Sequence, residues 1–339
     1  MLLNILVVGA GVMGANHCRT LNEMNDVQSV ACVDPSEQAL AKLRERGFEK
    51  TVFYSSVGDV LNKEEKEKKE EFDAAIVAVP THLHYAVAEQ LLGAGLPVLV
   101  EKPITDELEG GRKLVEKAKR AKLVLAVGHI ERCNPAVQAL KKHVAALGTP
   151  VHASAHRFGM PTDRDVGPSF IDQAVHDIDV ISFLLDRFPK SVQAVERRFV
   201  DKKSDDCCAA LYEFDGFTAS VEANRATPIK TRELIVCGTK GSAKLDYITQ
   251  ELTIATSDEK PPARYSSFDE LVLRVGRGAE LKPYFVKQEP LRVELENFLA
   301  CVRGKAKPIA DGEAGLRALA AVIAGHEAAA SGKKTSIIF

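Results

Sequence analysis

A glycine-rich segment near the start of the chain has the residue types and spacing to hold phosphate groups. The segment Gly9-Ala10-Gly11-Val12-Met13-Gly14 follows the apolar run 3–8 and precedes a stretch of helical character. In this context the first glycine permits a tight turn, the second lets a pyrophosphate approach the backbone, and the third lets helix and strand pack closely. The helix N-terminus then directs N–H groups at the phosphates. We therefore expect a dinucleotide to contact Gly9, Gly11, Val12, Met13 and Gly14; the alternative is a turn that binds no nucleotide.

An acidic residue indicates which dinucleotide would bind. Asp34 follows the second apolar run, 27–33, and lies about twenty residues after Gly14, as a ribose-binding carboxylate does. Such a carboxylate accepts hydrogen bonds from the ribose hydroxyls and repels a 2′-phosphate. The sequence therefore predicts NAD as the cofactor, with a preference for NADP as the alternative.

Two further segments place polar side chains after strands of the same predicted sheet. Glu101-Lys102-Pro103 directly follows the apolar run 97–100, and Pro80-Thr81-His82-Leu83-His84 follows the run 74–79. In an open parallel sheet, ligands bind outside the carboxyl ends of the strands. Lys102 is therefore expected to project into a ligand crevice, although a lone lysine after a strand is more often a surface charge.

An acid and a histidine lie close together on a predicted helix in the second half of the chain. Asp172 and His176 are separated by about one helical turn, which puts both side chains on one face. A carboxylate beside an imidazole suits proton transfer at neutral pH. The alternative for the pair is a structural hydrogen bond.

The elements around these residues predict two domains. Up to residue 127, short apolar strands alternate with helices, which is typical of a doubly wound parallel sheet. After a helix at 135–147 the strands become longer, and one helix at 170–185 interrupts them. We expect an α/β Rossmann domain at 1–127 and an α+β domain with a large, mostly antiparallel open sheet at 128–339. The strands predicted in the second domain are 150–157, 191–199, 207–214, 218–225, 232–237, 241–246 and 251–256.

Composition narrows the class of protein. The chain has 339 residues, 45% of them apolar and 27% charged, and its formal net charge is -2, so no basic field favours nucleic acid or an anionic membrane. The seven cysteines include no C-x-x-C pair, which fits thiols in a cytoplasmic enzyme. No run approaches the ~18 apolar residues of a membrane span, and the first nine residues predict a buried strand rather than a signal peptide.

Together these motifs resemble the Gfo/Idh/MocA family of glucose–fructose oxidoreductase-like and inositol dehydrogenase-like enzymes. The resemblance spans most of the chain and lies in the combination and order of Gly9–Gly14, Pro80–His84, Glu101-Lys102-Pro103 and Asp172…His176. It implies an NAD-dependent enzyme that oxidises a secondary hydroxyl of a sugar to a ketone by hydride transfer.

The resemblance also implies a role for each side chain. His176 is the general base that takes the hydroxyl proton, because an imidazole with its ordinary pKa near ~6.5 is suited to neutral pH. Lys102 hydrogen-bonds the same oxygen and stabilises the developing alkoxide. Asp172 orients His176 or the sugar hydroxyl, and Glu101 bonds the nicotinamide ribose. The cofactor is further bordered by Pro80, Thr81, His84 and Lys102.

Three segments are similar to dehydrogenases that oxidise the 3-position of UDP-N-acetylglucosamine-type sugars. These segments are 128–135, 164–167 and 287–291. The sequence departs from the family's pattern at Gln173, where relatives often carry a small or apolar residue. A nucleotide sugar carries a pyrophosphate, which arginine forks are well suited to bind. The arginines in or near these segments are therefore predicted substrate ligands, with a surface charge or salt-bridge partner as the alternative for each: Arg132, Arg157 and Arg164.

Other functions stay open at this point. An inositol or free-aldose dehydrogenase is the alternative within the same class, and a non-catalytic NAD-binding sensor is the alternative from a different class. A metal enzyme is not expected, because a strand separates His152 from His156 by roughly 13 Å, and the family's cofactor segment accounts for one of His82 and His84.

Self-association is the expected assembly. An open sheet face has to be covered, and the alternating apolar residues at 209–221 are consistent with a homodimer or homotetramer. The chain's own helices would cover the same face equally well. Relatives in the family are often dimers or tetramers.

Overall fold

The computed structural model describes residues 2–61, 72–161, 167–200, 204–257, 267 and 279–339, so the predicted ligand Arg164 lies outside the described residues. The chain forms two compact units. The first comprises Met1–Cys133, Glu289–Leu319 and Phe339, and the second comprises Asn134–Gln288 and Ala320–Ile338. The sequence analysis divided the chain once, after residue 127, and did not foresee the return of the segment Glu289–Leu319 to the first unit.

The first unit is built on a six-stranded sheet of order β3-β2-β1-β4-β5-β6, and every pair of neighbours is parallel. This is the predicted doubly wound sheet, which starts in the middle and extends to both sides. Its central strands are buried on both faces, as expected when helices cover a parallel sheet. The strands are β1 (Leu3–Val8), β2 (Val27–Val33), β3 (Thr51–Tyr54), β4 (Ala74–Val77), β5 (Val98–Glu101) and β6 (Leu125–Gly128), and the helices are α1 (Val12–Glu23), α2 (Glu37–Arg44), α3 (Val57–Leu61), α4 (His84–Gly93) and α5 (Leu108–Ala121).

A helix from the end of the chain completes the core of the first unit. The helix Pro290–Val302 contributes Leu291, Leu295, Phe298 and Leu299 to the apolar cluster formed by β1, β2 and α1. Full burial of each such side chain contributes about 1.5–3 kcal/mol. The predicted division after residue 127 did not include this packing, because the periodicity of a helix shows that it has an apolar face but not which core that face joins.

The second unit is built on a nine-stranded sheet of order β14-β13-β12-β11-β7-β10-β9-β8-β15. All neighbours are antiparallel except β7 and β10, which are parallel, so the predicted mostly antiparallel open sheet is confirmed. The strands are β7 (Pro150–Phe158), β8 (Ser191–Arg197), β9 (Cys207–Glu213), β10 (Thr218–Asn224), β11 (Thr231–Gly238), β12 (Gly241–Asp246), β13 (Glu251–Thr256), β14 (Ala279–Leu281) and β15 (Thr335–Ser336), and the helices that lie wholly in this unit are α6 (Pro135–His143) and α7 (Val175–Leu185). The remaining helices of the chain are α8 (Pro290–Val302) and α9 (Gly312–Ser331).

The helix predicted at 170–185 begins in an unusual conformation. Residues Phe170–Ala174 form a π-helical turn, and α7 continues directly from it. Phe170 is fully buried, and a Cβ placed on Gly325 would lie 2.7 Å from its ring, so α9 packs closely on this turn. Single π-helical turns are frequent at functional sites, and this one carries Asp172.

All seven cysteines are thiols, and five of them are buried. Burial raises the pKa of the Cys208 thiol, which keeps that sulfur protonated and poorly nucleophilic at neutral pH. Among the described helices, none has both the length and the apolar character needed to cross a bilayer.

Candidate active site

The glycine-rich loop connects β1 to α1 and is held by close backbone contacts. Gly9 has a φ of 107°, and its N–H donates to the carbonyl oxygen of Val33 at 2.7 Å. A Cβ on Gly9 would lie 2.3 Å from the carbonyl oxygen of Ala78, and a Cβ on Gly14 would lie 1.8 Å from that of Gly9. A Cβ on Gly11 would meet no atom within 4 Å. The loop is therefore closed behind Gly9 and Gly14 and open in front of Gly11, as the approach of a pyrophosphate requires.

Gly14→Ala is expected to destabilise the first unit and to abolish NADH binding, because a 1.8 Å contact between a methyl group and a backbone oxygen is relieved only by moving the loop. Overpacking of this kind costs about 1–3 kcal/mol or more. Gly11→Ala is the matched control: the fold should keep its Tm while NADH affinity falls, since the methyl enters the open space. Thermal unfolding and NADH fluorescence titration check both variants, and an unchanged Tm in G14A would contradict the close packing.

Asp34 ties the end of β2 to the glycine-rich loop. Its Oδ2 accepts a hydrogen bond from the N–H of Ala10 at 2.7 Å, and its Oδ1 accepts one from the N–H of Ser36 at 2.8 Å. Each carboxylate oxygen can accept a further hydrogen bond. Asp34 is therefore fixed in orientation and keeps the capacity to accept from ribose hydroxyls.

The predicted cofactor residues share one edge of the parallel sheet. The glycine-rich loop follows β1, Asp34 follows β2, Pro80 and Thr81 follow β4, and Lys102 follows β5. Because these four strands are mutually parallel neighbours in the sheet, their carboxyl ends meet at the same edge. An exposed helix N-terminus at Gly11 and Val12, with Met13 half-buried behind it, completes a site of the kind that binds a dinucleotide.

His84 lies in the interior rather than at the surface of this site. It is 1% exposed, and its ring nitrogens lie 2.8 Å from the carbonyl oxygen of Pro103 and 2.9 Å from that of Val79. Burial lowers the pKa of the imidazole, although the two carbonyl oxygens act in the opposite direction. The ring thus links the loops after β4 and β5, and this placement argues against the predicted cofactor contact.

Glu101 is a buried carboxylate with a histidine partner. Its Oε1 lies 2.8 Å from Nε2 of His17, and its Oε2 accepts the N–H of Lys102 at 3.3 Å. Burial by itself raises the pKa of the Glu101 carboxyl, but the hydrogen bond and charge of His17 and the charge of Lys102 outweigh it, so the pKa lies below its usual value. The turn that carries Lys102 is therefore anchored to α1 through a charged group.

In the second unit, Asp172 pairs with an arginine that the sequence analysis did not single out. Its Oδ2 lies 3.3 Å from Nη1 of Arg225, and Nη2 of Arg225 donates to the carbonyl oxygens of Gly167 at 2.8 Å and Asp205 at 3.3 Å. The Asp172 side chain is 27% exposed, whereas that of Arg225 is 6% exposed. His176 is half-buried in the first turn of α7. Arg225 therefore fixes the carboxylate of Asp172 from its buried side, and part of the carboxylate remains exposed.

Two of the three predicted pyrophosphate ligands have structural partners instead. Arg132 is buried in the first unit and donates to the carbonyl oxygen of Ile309 at 3.1 Å. Arg157 is 1% exposed, and its Nε and Nη2 donate to the two oxygens of Asp177 at 2.8 and 3.0 Å. These placements argue against the predicted substrate contacts, because a guanidinium already desolvated and paired has little left to offer a ligand. The prediction for Arg164 falls outside the described residues.

One cluster in the second unit has the residue types of a cation site. Ligand atoms of Glu196, Asp205 and His326 lie within 4.8 Å of one another. Nδ1 of His326 is hydrogen-bonded to Glu196 at 2.8 Å, and Arg198 lies 3.9 Å from Asp205. The chain therefore supplies basic partners to these carboxylates itself.

Two residues with structural importance for these sites were missed in the sequence analysis. His17 and Arg225 are both buried, and each is far in sequence from the carboxylate that it contacts. His17 is the one with a local signal, because it lies one helical turn after Gly14 and therefore faces inward with it. Arg225 follows β10, and only the packing of the turn Phe170–Ala174 against that strand brings it to Asp172.

Comparison with known proteins identifies the family. Residues 3–129 match the oxidoreductase family, NAD-binding Rossmann fold, and residues 141–337 match the C-terminal alpha/beta domain of the same family. The chain belongs to the Gfo/Idh/MocA family. The resemblance stated from the motifs is thereby confirmed.

The relatives of this Gfo/Idh/MocA protein include sugar and inositol dehydrogenases. The chain is 29% identical to UDP-N-acetylglucosamine 3-dehydrogenase of Acidithiobacillus ferrooxidans over 94% of each chain. It is also 29% identical to scyllo-inositol 2-dehydrogenase (NAD(+)) of Bacillus subtilis, over 89% of this chain and 87% of that one. A crystal structure of the A. ferrooxidans enzyme superposes with a TM-score of 0.80 and 26% identity over 98% of this chain and 99% of the other.

These findings confirm the predicted class of enzyme. The chain is an NAD-dependent sugar dehydrogenase, and its cofactor is NAD. The glycine-rich loop, open in front of Gly11, and the fixed carboxylate of Asp34 fit that cofactor.

Proposed function

We propose that this dehydrogenase oxidises the 3-hydroxyl of a UDP-N-acetylglucosamine-type nucleotide sugar to a ketone. The observation that carries the proposal is the similarity to a UDP-N-acetylglucosamine 3-dehydrogenase over 94% of both chains. Several inositol 2-dehydrogenases match about half of this chain, as the one from Paracoccus denitrificans does over 55% at 34% identity. Two inositol dehydrogenases also match through both halves, at 29% identity over 89% of this chain and at 25% over 98%, so the 29% identity over 94% to the nucleotide-sugar enzyme combines the higher identity with the longer match.

Three side chains are proposed to carry the chemistry. His176 takes the proton of the sugar hydroxyl, and Lys102 donates a hydrogen bond to the oxygen as negative charge develops there. Asp172, held by Arg225 at 3.3 Å, orients the imidazole or the hydroxyl. NAD, when bound, accepts the hydride from the carbinol carbon. The position of Lys102 after β5, at the ligand-binding edge of the sheet, supports its role.

The cofactor is proposed to lie along the edge formed by the glycine-rich loop and the ends of β2, β4 and β5. Gly9, Gly11, Val12, Met13 and Gly14 hold the pyrophosphate, and Asp34 accepts from the ribose next to the adenine. Pro80, Thr81, Glu101 and Lys102 border the nicotinamide end. Glu101 keeps Oε1 on His17, and Oε2, which accepts the N–H of Lys102 at 3.3 Å, would accept a second hydrogen bond from a ribose hydroxyl.

A second candidate function is an inositol or free-aldose dehydrogenase. The observation that favours it is the burial of Arg132 and Arg157, which leaves Arg164 as the sole remaining arginine of the predicted pyrophosphate site. A neutral polyol needs no pyrophosphate ligand. The B. subtilis scyllo-inositol enzyme, similar over most of the chain, belongs to this class by name.

A substrate panel separates the candidates. NADH formation from NAD is followed by absorbance with UDP-N-acetylglucosamine, its uronic acid, myo-inositol, scyllo-inositol and glucose. We expect turnover with a UDP-sugar and a 3-keto product, and a raised KM for it in Arg164→Met. Turnover with polyols alone would replace the nucleotide sugar by the second candidate. Tight NADH binding without turnover on any sugar would favour the non-catalytic sensor.

Self-association through the open face of the nine-stranded sheet is a further part of the proposal. Val195 and Leu211 are 50% and 41% exposed on neighbouring strands β8 and β9, and Leu211 pairs with Gln193 and Ser220 on either side. Exposed apolar side chains arranged across strands favour a partner surface. Sedimentation should give a dimer or tetramer that Leu211→Lys dissociates, and a monomeric wild type would contradict this.

The thiol state of all seven cysteines supports a reducing compartment such as the cytoplasm.

A further inference from the structure

Glu196, Asp205 and His326 form a cluster of metal-ligating side chains that the proposed reaction does not use. They come from the end of β8, from the segment before β9, and from the part of α9 that belongs to the second unit. One ligand atom of each lies within 4.8 Å of the other two. Ligand atoms around a tetrahedral Zn²⁺ lie roughly 3.4 Å apart, so small side-chain rotations would close the cluster around an ion.

The carboxylate of Glu196 has an oxygen that is left over. The side chain is only 8% exposed, and its Oε2 lies 2.8 Å from Nδ1 of His326. Its Oε1 is fully buried and has no hydrogen-bond partner among the described residues. A buried polar atom without a partner costs free energy. An ion bound between the three side chains would be a partner for this carboxylate.

The basic side chains beside the cluster balance its charge only in part. Burial raises the pKa of the Glu196 carboxyl, the hydrogen bond and charge of His326 oppose this, and the negative charge of Asp205 adds to it. Arg198 lies 3.9 Å from Asp205, which is too long for a hydrogen bond, and its side chain is 49% exposed. Arg198 can therefore turn toward solvent when a divalent cation takes its place.

The segment that carries Asp205 is fixed by its own contacts. The carbonyl oxygen of Asp205 accepts the N–H of Ser169 at 3.1 Å and Nη2 of Arg225 at 3.3 Å. The next residue, Asp206, is 1% exposed and accepts the N–H of Phe199 at 3.0 Å. Because this backbone is already ordered, binding of an ion would not have to order the segment as well.

We propose that Glu196, Asp205 and His326 bind a divalent transition-metal ion of the Zn²⁺ type, which ties β8 and the segment before β9 to α9 and stabilises the second unit. An imidazole with carboxylates suits Zn²⁺, whereas Mg²⁺ and Ca²⁺ prefer oxygen ligands alone. The His326 side chain is 47% exposed, so a water molecule can complete the coordination. The ion takes no part in hydride transfer.

Calorimetric titration of the full chain with Zn²⁺, without NAD or sugar, tests the site. We expect one ion per chain and a Kd that rises about tenfold or more in both His326→Ala and Glu196→Gln. The matched control is His143→Ala, which removes a half-buried histidine of α6 in the same unit and should leave the Kd unchanged. Mg²⁺ in about tenfold excess should not displace the Zn²⁺.

Two further measurements report on the role of the ion and on its ligands. Zn²⁺ at about 100 times its Kd should raise the Tm of the wild type by about 4 °C or more and leave that of His326→Ala unchanged. Cys208 pairs with Glu196 across β8 and β9, so a thiol is the nearby alternative ligand. The absorption spectrum of the chain with Co²⁺ should lack a thiolate charge-transfer band.

Each opposite outcome overturns part of the proposal. Equal Zn²⁺ affinity in the wild type and His326→Ala, or a thiolate band with Co²⁺, would place the ion elsewhere and reject the site. Displacement by Mg²⁺ would reject the transition-metal class, and binding without a gain in Tm would reject the structural role. Asp205→Asn replaces Glu196→Gln if that variant fails to fold. No sugar or NAD enters these measurements, so their result is independent of the proposed substrate.

Discussion

Lys102→Ala and His176→Ala are each expected to lower kcat for sugar oxidation by at least ~100-fold while NADH affinity stays within about twofold of wild type. Lys102 is proposed to stabilise the oxygen that loses its proton, and His176 to take that proton, so each acts mainly in the transition state. An interaction made only there lowers kcat rather than raising KM. Steady-state kinetics with the active sugar of the panel, together with NADH titration, measure both effects.

Two further variants separate lost chemistry from lost structure. Lys102→Met keeps most of the apolar stem and removes the charge, so its kcat should match that of Lys102→Ala if the ammonium group is what acts. Lys113→Ala removes an exposed lysine of α5 that pairs with Glu109 and should leave kcat unchanged. Near-normal turnover in both Lys102→Ala and His176→Ala would reject the assigned roles.

Asp177→Ala is expected to destabilise the second unit by about 3–5 kcal/mol, because it removes a carboxylate that pairs with the buried guanidinium of Arg157 through two hydrogen bonds. The two side chains are 2% and 1% exposed, and two hydrogen bonds of 2.8 and 3.0 Å join them. Tyr247 lies against the guanidinium at 5.1 Å from its ring centroid. Since Arg157 is on β7 and Asp177 on α7, the pair fastens the helix of His176 to the sheet. Urea unfolding curves measure the loss.

The double variant Arg157→Met/Asp177→Leu distinguishes two causes of lost stability: a buried charge left without its carboxylate, and the loss of packing contacts. Replacing a whole buried ion pair by apolar groups of similar volume is often neutral or stabilising. The double variant should therefore be more stable than Asp177→Ala. The surface pair Lys190 and Asp215, both about 70% exposed, is the matched control, and Asp215→Ala should change stability little. A loss below about 1 kcal/mol in Asp177→Ala would contradict the account.

The fold was predictable where the hydrophobic pattern of a segment, together with the segments next to it in the sequence, indicates how that segment packs. The runs at 3–8 and 74–79 are apolar on both faces, which in alternation with helices predicts a parallel sheet, and the structure has them as neighbours β1 and β4. In the second unit, predicted strands such as 241–246 and 251–256 agree with β12 and β13. The pairing of strands that are far apart in the sequence, such as β7 and β10, could not be predicted. Strand propensity carries no information about which strand is the neighbour.

The sequence by itself determined the family and the cofactor, and it predicts the edge of the sheet at which we propose that the cofactor binds. The glycine-rich loop needs glycine at Gly9 and Gly14 for the backbone to fit, and at Gly11 to leave space for a pyrophosphate. The spacing of these glycines therefore indicates a dinucleotide-binding loop without any information from distant residues. Tertiary structure alone decided which charged groups are inside and with whom they pair. Arg157 faces Asp177, and His17 faces Glu101, because separate elements pack together, and burial then turns each charge into a structural requirement.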